Sequence, residues 1–321
     1  MKNKGIIIFL IILAVIIIAV IATDFISKRP DNMEPNQFEY TVDEFKNVPE
    51  ELIHYKETKN FKIGFDEPKG LTVSGDKIYL VGDQKLKVID TSGKLLNEIS
   101  LINKPNTVEV SDDKVFVAFE KQIHVFNSEF EVQDDWPLMN EKTFITAVAV
   151  FNGNVFVADA GTRKILRFSE DGKKLGEFDG KNGDEEAYGF IVPSPYFDID
   201  INEDGDLWIV NPGLHSFENF TYDGNFRSNW QNTNMKIEGF SGCCNPAHYT
   251  FLPDGSFVTA EKGLVRIKVY KPSGEFSGVV AAPNKFDDKP EGHAPDVATD
   301  NQGNIYALDF DRKILRVFES K

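Results

Sequence analysis

The chain predicts an all-β fold, a six-bladed β-propeller behind one N-terminal transmembrane helix, and three observations carry that prediction. A strand-turn-strand phrase returns six times between about residue 65 and the C-terminus. Each copy is one supersecondary unit that cannot bury its own apolar face and must stack on its neighbours. An uninterrupted apolar run occupies residues 6–22, and a Pro-, Asn- and acid-rich stretch separates it from the first copy.

Taken in order, residues 1–23 read as a signal anchor, 24–51 as a stalk and 52–321 as the propeller. As a helix rising 1.5 Å per residue, the apolar run spans roughly 26 Å, just enough to cross a bilayer. A cleaved signal peptide ending near Val20-Ile21-Ala22 is the competing reading, but the run exceeds the usual apolar core of about 7–15 residues. No Cys follows the run, which excludes a bacterial lipoprotein anchor. Lys2 and Lys4 precede it and Lys28 and Arg29 follow it; the orientation adopted is N-terminus inside, body outside. The chain is therefore expected to be a single-pass membrane protein whose body is extracytoplasmic, in the periplasm or at the cell surface. Pro30, Pro35 and Pro49 with many acids make the stalk.

The whole chain carries a formal charge of −16, and beyond residue 29 the charge is −19. Such a body repels phosphate backbones, which argues against nucleic acid.

Within the propeller the second strands align on Ile78, Val115, Val155, Leu207, Phe257 and Ile305, with longer loops in the later copies. Third strands follow near 85–90, 122–127, 164–169, 216–221, 266–271 and 313–318, each alternating apolar and polar. Turns at Ser92-Gly93, Asp171-Gly172, Asp223-Gly224 and Ser273-Gly274 lead into fourth strands. The last copy ends at Lys321 with no residues left for a fourth strand. The alternating piece at 52–63 is expected to supply it and so remove an exposed sheet edge. Most of the 27 Phe fall at strand positions and read as blade-to-blade core.

The repeat also serves as a ruler. Counting back from the turn glycines, the position of Gly70 is taken by Asp198, His248 and Asp296 in the last three copies. That position opens the innermost strand, at the mouth of the central channel. His293 and Asn245 precede it in their blades, while Glu261, Lys262 and Asp159 lie in loops after second strands on the same face. Two carboxylates and an imidazole suit zinc or another divalent ion, and oxygens alone would suit calcium. Asp198, His248 and Asp296 are thus also candidate metal ligands, although Asp at a strand start often caps a turn and a lone His is more often a satisfied residue.

The two cysteines are neighbours, Cys243 and Cys244, inside Ser241-Gly242-Cys243-Cys244-Asn245-Pro246-Ala247-His248. Three readings stay open: a turn locked by a vicinal disulfide, an apolar ligand contact made by that ring, or a redox or thiolate-metal role. No phosphate loop, Gly-x-Ser-x-Gly elbow, His-Glu-x-x-His helix or haem-attachment motif occurs.

Val157-Ala158-Asp159-Ala160 with Arg163-Lys164-Ile165-Leu166-Arg167-Phe168 and Asp171-Gly172, and again Ala307-Leu308-Asp309 through Val317-Phe318, resemble the repeat of the NHL family of six-bladed propellers. The resemblance covers roughly 52–321, and the Gly-Cys-Cys-Asn-Pro phrase is similar to one in a bacterial secreted or membrane-anchored subgroup. It implies the fold but no one function, because that family includes RNA binders, protein-interaction platforms and metal-dependent amidating lyases. Three functions are weighed. The first is a membrane-tethered, monomeric binding module for a protein partner or small-molecule ligand. The second is a metal-dependent lyase or hydrolase with a carboxylate-His centre. The third is a redox component built on the cysteine pair.

Overall fold

In the computed structural model of the protein the described residues are 3–27, 45–181, 183, 186, 188–287 and 292–321. The chain divides into two units, Met1–Val42 and Asp43–Lys321. The first contains one α-helix, Asn3–Ser27, whose window Lys4–Ile21 is long and apolar enough to cross a membrane. Length and composition alone do not separate a membrane span from a signal sequence at this position. Most of the expected stalk, 28–44, lies outside the described residues, as do Lys28 and Arg29.

The second unit is a six-bladed β-propeller, six antiparallel sheets of four strands each. Burial follows strand position. Second strands are the most buried, entirely so at Phe257–Glu261 and Ile305–Asp309, because both of their faces meet another blade. Outer strands such as Val132–Asp135 and Phe226–Gln231 are largely exposed. The core is accordingly divided into six apolar clusters, one at each blade boundary.

Ring closure comes from Tyr55–Lys62, which runs antiparallel to the last strand, Ile314–Ser320, with Tyr55 opposite Ser320 and Phe61 opposite Leu315. A charge-assisted pair reinforces the seam: Arg316, only 1% exposed, donates to Glu57 at 2.6 Å across 259 residues of sequence. The added strand therefore removes the edge that the truncated sixth copy would have left open.

The turn glycines have a packing role that spacing alone does not reveal. An aromatic residue on or next to the outer strand of each preceding blade lies directly on the turn: Phe61 on Gly93, Trp136 on Gly172, Phe178 on Gly224 and Trp230 on Gly274. A Cβ at Gly274 would come within 2.6 Å of the Trp230 indole, and one at Gly172 within 2.7 Å of Trp136. Glycine is needed there for contact between blades as well as for its positive φ.

Candidate functional site

The inner strands Ile199–Ile201, His248–Phe251 and Asp296–Thr299 start side by side around the channel. The residues that open them meet. His248 Nδ1 lies 3.7 Å from Asp198 Oδ2 and 3.8 Å from Asp296 Oδ1, so one imidazole of blade 5 sits between carboxylates of blades 4 and 6. All three face a cavity of about 520 Å³ at the channel mouth.

Both carboxylates are held by backbone. Asp198 accepts the N–H groups of Ile199 and Tyr249, each at 2.9 Å, and Asp296 accepts those of Val297 at 2.9 Å and Leu71 at 2.8 Å. Burial by itself would lower the His248 pKa, but the neighbouring carboxylates of Asp198 and Asp296 outweigh it and raise the value. For Asp296 burial dominates and pushes its pKa up to about 6, against the attraction of His248. The protonated forms of His248 and Asp296 are thus both favoured.

These bonds bear on the metal expectation. Each of the four carboxylate oxygens already accepts a backbone N–H. No group of three or more His, Cys, Asp and Glu among the described residues is arranged to hold a metal ion. An oxygen that accepts one N–H keeps a second lone pair, so these hydrogen bonds fix the carboxylates in place without by themselves deciding for or against a metal.

Three rings wall the mouth: Tyr196 stands edge-on to His248 with centroids 5.5 Å apart, Phe310 stands at 6.2 Å, and Phe144 lies on the rim, 36% exposed. Sequence reasoning missed them, having assigned the phenylalanines mainly to the core. Phe144 precedes an inner strand, Tyr196 lies two residues before Asp198, and Phe310 follows a second strand, so the repeat register held the signal. His293 also reaches the mouth, where Asp311 takes both its backbone N–H and Nδ1 at 3.0 Å.

Other expected site residues are placed elsewhere. Glu261 is fully buried in blade 5, bonded to Arg266 at 2.7 Å and Lys268 at 2.8 Å, and does not line the mouth. Burial would raise its pKa, but Lys268 and Arg266 hold it down; burial takes the Lys268 ammonium down to about 7. Asp159 organises its own loop, accepting from the Thr143 and Thr162 hydroxyls and the N–H groups of Phe144, Gly161 and Thr162. Asn245 is 2% exposed and clamps the cysteine loop. Lys262 reaches over the Tyr196 ring at 5.3 Å, behind the wall rather than inside it. Cys243 and Cys244 are not bonded to each other here; their sulfurs lie 3.3 Å apart.

Below the mouth the channel narrows to a polar cavity of about 170 Å³. Besides Asp198 and Asp296 its lining holds Glu109, bonded to the Thr72 hydroxyl at 3.2 Å, and Asp200, bonded to the Thr250 hydroxyl at 3.1 Å. Burial raises their pKa values to about 8 and about 7, and the charge of Asp200 adds to the shift at Glu109. Both were missed. Asp200 lies two residues beyond Asp198 on one strand, and side chains two apart share a face, so the same ruler extended inward would have found it.

No protein-family model and no curated protein matches the chain. Solved structures similar to it include a streptogramin B lyase, 14% identical over 84% of this chain and 98% of that one, with a TM-score of 0.58. Another is a catalytically inactive histidine-to-alanine virginiamycin B lyase from Staphylococcus aureus with quinupristin, at 16% identity, 83% and 99% coverage and a TM-score of 0.58. A protein of unknown function from Bacteroides thetaiotaomicron is similar at 13% identity, 84% and 76% coverage and a TM-score of 0.60. At these identities the likeness concerns the fold. The class is an all-β, six-bladed propeller preceded by an N-terminal apolar helix.

Proposed function

We propose that the protein is a membrane-tethered, extracytoplasmic propeller of NHL type that binds a small molecule in the channel mouth. The observation that carries this reading is the mouth itself, a cavity of about 520 Å³ walled by Phe144, Tyr196 and Phe310 around the His248 imidazole. A concave, mainly apolar hollow with a few convergent polar groups is the usual form of a small-molecule site. The rings supply contact area, while His248, Asp198 and Asp296 supply orientation and a donor whose charge depends on what enters. The apolar N-terminal helix supports the tether, and the net negative body supports a partner other than nucleic acid.

The test is a calorimetric and thermal-shift screen of the full chain in detergent against neutral aromatic compounds, organic amines and quinupristin. Binding that is lost in Tyr196→Ala and Phe310→Ala, with folding retained, is the expected result. A folded chain that binds nothing in the panel, or binds equally well without these rings, overturns the reading. Separation of membrane from soluble fractions, with and without residues 1–27, tests the tether.

A second reading has its own observation: Nδ1 of His248 is directed at two carboxylates, the arrangement by which an imidazole is oriented as a general acid or base. In an enzyme His248 would move a proton on a ligand held by the rings. Conversion of quinupristin or another panel compound by the parent chain, abolished in His248→Ala while binding persists, would establish it.

A further inference from the structure

The cysteine pair belongs to neither reading above, and its setting is specific. The loop that carries it enters blade 5 just before His248. Asn245 pins this loop, donating to Ser241 O at 2.6 Å and Lys262 O at 3.1 Å and accepting from Lys262 N–H at 2.9 Å. His215 Nε2 lies 2.6 Å from Gly242 O, and Ala247 N–H donates to Ala260 O. The segment on both sides of the cysteines is therefore anchored to neighbouring elements.

Within it the two sulfurs lie 3.3 Å apart, Cys243 exposed and Cys244 buried. The Ser194 hydroxyl stands beside the Cys244 sulfur and is buried with no nitrogen or oxygen partner among the described residues. These are the chain's only cysteines, so no third thiol competes.

The spacing selects the chemistry. A linear two-coordinate ion with bonds near 2.3 Å needs its sulfurs about 4.6 Å apart, well beyond the 3.3 Å at which these two sit. Structural zinc needs four donors, and no such group exists among the described residues. A trivalent metalloid has a stereochemically active lone pair and takes two sulfurs at a bent angle, which suits sulfurs already side by side.

We propose that Cys243 and Cys244 form a preorganised dithiol site for a trivalent organoarsenical or a metalloid ion of the same chemistry, held at the rim behind Tyr196. With phenylarsine oxide the step is a condensation. Two S–H bonds and the arsenic–oxygen bond break, two S–As bonds form, and both protons leave on the oxygen as water. Arsenic stays trivalent and neither sulfur is oxidised.

The experiment uses the full chain in detergent, first reduced with a thiol-free phosphine and freed of it, and titrated with phenylarsine oxide while free thiols are counted. Both thiols should disappear at one equivalent, and 2,3-dimercaptopropanol should return both. Cys243→Ser and Cys244→Ser should each weaken binding by about a hundredfold or more, since one sulfur loses the chelate's effective concentration. Asn245→Ala, with both thiols kept, should weaken it about tenfold through lost preorganisation. Two equivalents per chain, thiols still titratable after one equivalent, or a folded single-Cys variant that binds as tightly as the parent would each overturn the proposal. The stoichiometry on the parent chain decides even if a variant fails to fold.

Discussion

The carboxylate of Asp296 accepts the backbone N–H of Leu71 at 2.8 Å, joining the last blade to the first across 225 residues of sequence. Asp198 does the same two boundaries earlier in the ring, between blades 4 and 5, accepting from Tyr249. Each acid that flanks His248 is also a staple between blades. One residue before the equivalent positions in blades 2 and 3, Asn106 and Thr146 donate to Ile145 O at 2.8 Å and Phe197 O at 2.6 Å. Mouth chemistry and ring integrity therefore share residues.

Asp296→Ala should cost about 1–3 kcal/mol, since it leaves the Leu71 and Val297 N–H groups without their acceptor. Urea unfolding of the full chain measures it. A loss below about 0.5 kcal/mol would mean that the staple holds nothing.

Stability should fall as pH rises from about 5 to 7. Glu109, Asp200 and Asp296 have folded pKa values of about 8, 7 and 6, above their ordinary values. The folded chain holds these protons more tightly, so their contribution is present below the unfolded values and is lost as pH climbs through the folded ones. His248, also raised, acts in the same direction as pH passes its folded pKa. Lys268, lowered to about 7, opposes them only above that pH. Urea midpoints across this range should slope downward, and Glu109→Gln should flatten the slope; an unchanged slope in that variant would count against the channel acids.

The imidazole of His248 should titrate above the ordinary histidine value in a two-dimensional NMR experiment. In Asp198→Asn the titration should move down, because burial then acts against the charged ring with one carboxylate fewer. A His248 pKa unmoved by that change would show that the 3.7 Å pair carries no interaction.

Gly274→Ala and Gly263→Ala separate packing from backbone conformation. Both glycines have positive φ, but a Cβ at Gly274 meets Trp230 at 2.6 Å whereas one at Gly263 meets nothing within 4 Å. The Gly263 change should cost about 1 kcal/mol and the Gly274 change about 2 kcal/mol or more. Equal losses would remove the aromatic cover from the account of the fold.

Replacing Glu261 with Gln should destabilise by about 3 kcal/mol or more, because Arg266 and Lys268 would remain buried without their anion. Lys268→Met should cost far less, since Phe240 and Tyr270 already enclose its stem at 4.4 and 5.1 Å from the ammonium. Thermal or urea unfolding of the two variants in parallel tests the order, and the reverse order would refute the ion cluster as described.

Much of the architecture was legible because a blade repeats. Spacing placed the six second strands, and the missing fourth strand of the last copy pointed to residues 52–63, where Tyr55–Lys62 now pairs with Ile314–Ser320. The same register placed Asp198, His248 and Asp296 at one height. It failed for Glu261 and Asp159, which end second strands rather than lying in the loops after them, and whose side chains turn into their own blade toward partners such as Arg266 or Thr143.

The sequence by itself determined the unit, its number, its closure and the apolar N-terminal helix, since these rest on local periodicity and composition. Only the tertiary structure decided what the mouth is made of. Tyr196, Phe310 and Phe144 stand beside repeat positions, but only the folded ring brings them to one mouth, and His248 gains its two carboxylate neighbours through contacts between blades about fifty residues apart. Periodicity records which way a strand faces; the partner it meets depends on how the ring brings distant strands together.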